Sequence, residues 1–408
     1  MASFYIPLTG LESDSTALNT IANDLANLNT TGFKAQNVNF SDLFYQQIGS
    51  QGSGNLIQQG SGVATASIES QYTQGSIVGT GNATDVALSG NGFFVLNNGG
   101  TNIYTRDGNF GLDNNGNLIT ASGLSVMGYP AVNGVVNTNA ALTAINIPEG
   151  QTEQARATTS FGMTANLDSN AAIGTAVPGS FTAYDSLGNA QVVTVTYTKT
   201  ATNTWTYAVN PPAGAATTTS ANTGTLVFDT SGNLTSPAAA VPGITFAGLT
   251  DGAADMTLSF NVLGTSGKPT ISQDAATSAV GSTTQDGYAS GQYQSFNIAA
   301  DGTVEATFSN GQTQAVGRLA LANVANLQGL QLLGSGDYAT TLASGTASIG
   351  ASGTNGLGTF QDAAVEESNV NISAEFSALI IAQRAFEANS KAVTTFDTVA
   401  QETINMVH

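Results

Sequence analysis

The chain has 408 residues, with 8 Lys and Arg against 27 Asp and Glu, one His and no Cys, for a formal net charge of −19. Phosphate contacts need clustered cations, and Lys34, Arg106, Arg156, Lys199, Lys268, Arg318, Arg384 and Lys391 are scattered singly, so nucleic acid and anionic membrane surfaces are excluded as partners. Without Cys there are no disulfides, thiolate metal sites or Cys nucleophiles, and with 9% charged residues against a usual ~25% the polar surface falls to Thr, Ser, Asn, Gln and Gly.

The N-terminus, MASFYIPLTGLESDSTA, lacks a basic region followed by an unbroken apolar stretch, so a cleaved secretory leader is not expected. No run approaches the ~18 apolar residues of a bilayer-spanning helix, so no membrane insertion is expected either. A helix is predicted over the first thirty residues. Phe4, Leu11, Leu18 and Leu25 fall seven apart, with Ile21 and Leu28 at companion positions, an a/d seam interrupted at Asp14. Pro7 falls in its first turn or delays its start. In ANDLANLNTTGFK (22–34) the amides of Asn23, Asn27 and Asn29 crowd the helix end. Thr30-Thr31-Gly32 is read as the terminator, with Gly32 in the left-handed conformation of a C-cap and Phe33 anchoring the chain as it turns outward.

Residues 31–72 are rich in Gln, Ser and Gly and read as an extended connector. Short strand-like runs such as Phe93-Phe94-Val95-Leu96 and Leu319-Ala320-Leu321-Ala322, punctuated by Asn98-Gly99 and Asn310-Gly311, assign 73–147 and 287–366 to one β-rich domain. Between them, 148–286 alternates cleanly in Val192-Val193-Thr194-Val195-Thr196-Tyr197-Thr198 and reads as a second β domain inserted into the first. The last forty residues return to a heptad: Ile372, Leu379, Phe386, Val393, Ala400 and Val407, widened by Phe376, Ala382, Phe396 and Ile404, with Ser373 as the predicted N-cap. Two heptad helices bracketing a β body at opposite ends of the chain are expected to pack on each other and on copies of themselves.

Three stretches share a D-x-x-G-N pattern, at Asp113–Asn117, Asp185–Asn189 and Asp229–Asn233. An EF-type calcium loop needs a bidentate Glu at its twelfth position, which all three lack, so hairpin turns are predicted. Gly79-Thr-Gly81-Asn-Ala-Thr84 lacks the GK[ST] ending of a phosphate loop. His408 is the last residue and the sole histidine, and Glu366-Glu367 is the only adjacent Glu pair, placed beside a helix start that favours negative charge. No enzyme, metal or cofactor is expected.

ANDLANLNTTGFK resembles the N-terminal signature of the bacterial flagellar axial rod and hook proteins. The match continues in ALSGNGFFVL (87–96), YTRDGNF (104–110) and LITASGLSVMGYP (118–130), and ends in EESNVNISAEFSALIIAQRAFEANSKAVTTFDTVAQETIN (366–405). On this resemblance the signature positions are Asn23, Asn27, Asn29, Thr31, Gly32, Phe33 and Lys34 at one end and Asn369, Glu375, Gln383 and Arg384 at the other. The resemblance implies a mainly β fold with paired N- and C-terminal α-helices (1–30 and 367–408) forming a coiled-coil-like inner layer. Around it would lie a β-rich middle domain with the second β domain inserted into it and outermost.

It also implies a self-assembling structural subunit of an extracellular appendage, exported without loss of a leader through the flagellar type III apparatus. Its expected partners are many copies of itself, the rod, the hook cap and the hook–filament junction proteins. The insertion of ~140 residues, the size of an ordinary domain, together with FTAYDSLGNAQVVTVTYTK (181–199), favours a hook subunit: a curved hollow tube acting as a universal joint. A distal rod subunit remains an alternative within the family, and an extracellular adhesin or carbohydrate-binding β protein an alternative outside it.

Overall fold

The structure, a computed structural model, describes residues 4–50, 56–264 and 266–406. The heptad position Val407 and the terminal His408 lie outside them, as does part of the expected connector (51–55). The chain divides into two compact units, Met1–Pro148 with Phe296–Ala306 and Gln314–His408, and Glu149–Ser295 with Thr307–Thr313.

In the first unit, α1 (Tyr5–Ala26) and α2 (Ile372–Met406) are the two α-helices among the described residues. Pro7 sits in the first turn of α1, where its missing N–H costs nothing. The predicted cap Ser373 is instead the second residue of α2. Asn371, just before the helix, caps it by accepting the Ala374 N–H on Oδ1 at 3.2 Å. Residues read as an extended connector fold back on themselves: Gln36–Asp42 pairs antiparallel with Val63–Ser70, and Tyr45–Ser50 with Leu56–Gly60. Gln and Ser hid the strand pattern, yet Val38, Phe40 and Ile68 alternate along the ribbon.

The body of this unit is an antiparallel sheet in which Ser125–Val132, Phe93–Asn98, Thr101–Thr105, Asp337–Ala339 and Gln331–Gly334 are successive neighbours. The hairpin at 93–105 closes through Gly99-Gly100, both at positive φ (57° and 93°), the backbone that a tight hairpin turn demands. One face buries Phe93, Val95, Tyr104, Met127, Tyr129 and Tyr338, with Phe93 and Tyr338 edge to face at 5.4 Å. Val86–Ser89 pairs with Thr359–Asp362, and Ile77–Gly79 with Ala364–Glu366, bringing the segment just before α2 to the segment after the ribbon.

The second unit is a sandwich of two sheets. Ala176–Tyr184, Ala190–Ala201, Thr204–Asn210, Thr223–Phe228 and Leu234–Ser236 make one in sequential order. The other follows the order Ala216–Ser220, Val241–Leu249, Met256–Asn261 and Ser160–Asn166. In Ala190–Ala201 the alternation predicted from sequence turns Val193, Val195 and Tyr197 inward and Thr194, Thr196 and Thr198 outward. Phe161 from one sheet stacks on Phe181 from the other at 4.4 Å. Trp205 is fully buried with its indole N–H donating to Gln273 Oε1 at 3.0 Å.

The three D-x-x-G-N stretches are turns of one design. Asp113 Oδ1 accepts the N–H groups of Asn115 and Asn117, both at 2.8 Å. Asp185 and Asp229 do the same two and four residues on, and Gly116, Gly188 and Gly232 have φ of 80–86°. These bonds hold all three carboxyls below the usual carboxylate range.

Candidate self-assembly site

Helix α1 ends in amides because an amide can finish it. Ala26 is the last helical residue and Asn27 the C-cap, whose N–H reaches Asn23 O at 3.1 Å and whose side chain donates to the same oxygen at 2.9 Å. Thr30 Oγ1 then donates to Asn27 Oδ1. Gly32, expected to terminate the helix, lies six residues past Ala26. Its φ of +66° serves a different contact: a Cβ there would come within 2.7 Å of Arg106 C and Asp107 N, so the turn can press directly on the backbone of the YTRDGNF stretch. Thr31 Oγ1 donates to Asp107 Oδ1 at 2.7 Å across the same contact.

Two residues on, the chain meets its own far end. Lys34 Nζ and Arg106 Nη1 both contact the Glu366 carboxylate, at 2.5 and 3.2 Å, with all three side chains no more than 6% exposed. Gly75 N–H also donates to Glu366 Oε1 and Gly32 N–H to Glu366 O. Lys34 Nζ donates further to Thr73 O, and Arg106 Nη2 to Gly90 O while its guanidinium lies 5.5 Å from the Phe93 ring centre. Burial pulls both cations below their ordinary values and Glu366 pulls them back up. Asn369 completes the tie: its Oδ1 accepts Ala35 N–H at 2.8 Å and its Nδ2 donates to Gln71 O and Thr73 O.

The helices run antiparallel, since Gly10 meets Asn389 while Asp24 faces Glu375. A Cβ on Gly10 would come within 2.6 Å of Asn389 Nδ2, which donates to Asp14 Oδ2 at 2.8 Å. The buried positions of α1 are Pro7, Thr9, Gly10, Ser13, Thr20 and Asp24, and that of α2 is Ala382. The most buried positions of the helix pair are thus small or polar residues and not the leucines of the seam. Small residues let the backbones approach, and Leu11, Leu18, Ile21, Leu25, Leu28, Leu379 and Val393 are left half-buried. Ile372, Phe376, Phe386, Phe396 and Ile404 are exposed. At ~1.5 Å per residue α2 is ~52 Å long against ~33 Å for α1, so in this register the last turns of α2 extend past the start of α1.

Asp24 is fully buried where α1 meets both the ribbon and α2. Its Oδ2 accepts Gln36 N–H at 2.8 Å, and its Oδ1 has no hydrogen-bond partner among the described residues. Burial pushes its carboxyl up to about 6; the Gln36 N–H opposes the rise and Glu375, itself raised by burial, adds to it. The folded state thus holds this proton more tightly than the unfolded chain. The stability that ionising Asp24 costs is lost as pH rises through about 6 and is regained progressively as pH falls from there toward its ordinary value of 3.8. The melting temperature of the full chain is expected to rise between pH 7.5 and pH 5. Asp24→Asn should raise it at pH 7.5 and make that part of the profile shallower, Asp337, also pushed up to about 6 by burial, supplying the rest, as measured by calorimetry across the pH series.

Of the signature positions, Thr31, Gly32, Phe33, Lys34 and Asn369 converge on one junction, with Asn369 N–H donating to Phe33 O. Asn23 and Asn27 finish α1, Asn29 borders the junction, and Glu375 faces Asp24. Gln383 and Arg384 lie apart from it on the exposed face of α2, where Arg384 pairs with Glu387 at 2.9 Å. Sequence reasoning missed Arg106 and gave Glu366 only a helix-start role. The signal was scarcity: with so few cations in the chain, two falling inside signature stretches point to a shared buried anion.

Family models match in chain order: a flagella basal body rod protein model over 4–34, the flagellar hook protein FlgE/F/G D1 domain over 87–164, the flagellar basal body protein FlaE D2 domain over 157–288, and the flagellar basal body rod FlgEFG protein C-terminal model over 361–406. The chain is 35% identical to the flagellar hook protein FlgE of Escherichia coli K12, over 99% of this chain and all of that protein. It is 33% identical to the flagellar hook protein FlgE of Treponema pallidum, over 100% and 99% respectively. In fold it resembles the crystal structure of Helicobacter pylori flagellar hook protein FlgE2, with a TM-score of 0.55 at 15% identity, covering 70% of this chain and 99% of that one. The chain belongs to the flagellar hook protein FlgE family.

Proposed function

We propose that this structural hook subunit polymerises through its terminal helices into a curved hollow tube that carries torque from rod to filament and passes exported subunits along its channel. The observation that carries the reading is the exposed apolar stripe of α2, Phe376, Phe386, Phe396 and Ile404, on a helix already tied to α1 by its small-residue face. A stripe of that size on a lone chain needs a partner, and heptad spacing suits copies of the same helix.

In this reading residues 1–30 and 367–408 form the inner layer and 31–72 the connection. Residues 73–147 with 287–366 form the middle domain, and 148–286 the outer one. The rod, hook cap, hook–filament junction proteins and type III export apparatus are its neighbours. The outer sandwich, with a Thr-, Ser- and Asn-rich surface, can slide against copies without breaking strong charge pairs at each step of rotation.

Repulsion between subunits of charge −19 opposes growth, so assembly should strengthen with salt. Sedimentation of the full chain is expected to give a lower critical concentration at ~0.2 M salt, where the Debye length is below ~10 Å, than at ~0.02 M, where it is ~20 Å. A critical concentration independent of salt would count against charge repulsion, and absence of sedimenting polymer at any concentration against the reading itself.

A further inference from the structure

A groove of about 610 Å³ runs between α1, α2 and the Gln36–Asp42 strand of the ribbon. Its apolar wall is Ala17 and Ile21 from α1 and Ala374, Ala378, Ile381 and Ala385 from α2. Val38 and Phe40 close the ribbon side, and Phe40 and Ile381 are 47% and 70% exposed. Apolar side chains this open, gathered in one groove, mark an interaction site. The charge of the groove is one-sided. Asp14 and Glu375 are the ionisable residues that line it, and no Lys or Arg borders it. Asp14 Oδ2 accepts from Asn389 Nδ2 at 2.8 Å, but neither carboxylate has an ion-pair partner among the described residues.

The complement lies on the far side of α2. At ~3.6 residues per turn, Phe376, Ile380, Arg384 and Lys391 share a stripe opposite the one that lines the groove. Phe376 and Ile380 are 52% and 58% exposed, and Arg384 and Lys391 are the only cations on either helix. Glu387, the one acid on this stretch of the stripe, meets Arg384 in an exposed pair that contributes little. Lys391 pairs with no carboxylate among the described residues. The stripe is apolar and cationic where the groove is apolar and anionic, a scarce match in a chain with 8 Lys and Arg against 27 acids. Because the two surfaces lie on opposite sides of one helix, no chain can satisfy itself. A copy that docks leaves its own groove open for the next, and such head-to-tail contacts continue as a helical assembly instead of closing as a dimer.

Given the polymer proposed above, on which this rests, we propose that the groove seats α2 of a second copy, with its Phe376 and Ile380 against the apolar wall and its cations against Asp14 and Glu375. Screw symmetry keeps copies pointing the same way along a tube, which sets Arg384 of one copy beside Glu375 of the next and Lys391 beside Asp14. The apolar pair supplies the adhesion, and the charges fix which helix docks and in what register.

The test is sedimentation of the full chain at ~0.2 M salt with charge-reversed variants, each checked as a folded monomer by calorimetry. Lys391→Glu should raise the critical concentration ~10-fold or more, since like charges would then meet in the groove. Lys268→Glu makes the same change in net charge at an exposed site in the second unit, and should stay within ~2-fold of the wild type. Lys391→Glu combined with Asp14→Lys should recover most of the loss, and Lys391→Gln, which removes the charge without reversing it, should fall between wild type and Lys391→Glu. A Lys391→Glu variant that assembles like Lys268→Glu overturns the proposal. So does a Lys391→Glu defect that a folded Asp14→Lys double variant leaves unrelieved, which would give the groove to another protein. A wild type that forms no polymer would instead remove the polymer itself, and this contact with it.

Discussion

Glu366→Gln is expected to lower the stability of the full chain by ~3–5 kcal/mol, the cost of leaving buried charge without its counter-ion. The substitution keeps the shape of the side chain and an acceptor for Gly75 N–H, but it turns an amide N–H₂ toward Arg106 and leaves Lys34 and Arg106 with no anion. Glu367→Gln, one residue on and exposed, should stay within ~0.5 kcal/mol of the wild type. Denaturant unfolding of the two variants side by side measures the difference. Equal stabilities would show that the junction does not depend on the ion triad. Because Glu366 joins the N-terminal signature at Lys34 to the segment that enters α2, the same variant should also loosen the hold of both helices on the body.

Phe396→Ser combined with Ile404→Ser should abolish or severely weaken assembly while leaving monomer melting unchanged. In the single chain both side chains are exposed, at 37% and 61%, so little folding energy rests on them. If neighbouring copies bury them, each is worth ~1.5–3 kcal/mol, and losing both raises the critical concentration by roughly 100-fold or more. Sedimentation at matched concentrations reads the effect, and calorimetry of the monomer provides the control. A critical concentration unchanged by the double substitution would place the contacts between copies elsewhere.

The two terminal helices were legible because a heptad is a long, redundant signal, and the inserted sandwich because strict alternation in Val192–Thr198 leaves little choice of fold. What the seam would touch was not. Heptad leucines suggested pairing within the chain and with copies; Gly10 and Ala382 mark the closest approach within the chain, while the leucines of the seam stay half-buried. The helix ends were blurred for a related reason. Asn27, directly after the last helical residue, and Asn371, directly before the first, took the capping roles expected of Gly32 and Ser373, since an Asn side chain at the helix boundary reaches the free backbone groups first. The ribbon at 36–70 stayed hidden because exposed Gln and Ser carry no periodicity. The ion triad stayed hidden because its members are 34, 106 and 366 in the chain, and only the fold brings them together.

The central claim is that the terminal helices build the polymer. Its most direct test is negative-stain electron microscopy of the full chain at high concentration and moderate salt, beside a chain lacking residues 1–30 and 367–408. Hollow tubes from the full chain and compact monomers from the truncated one are the predicted result. Tubes from both, or from the truncated chain alone, would contradict it.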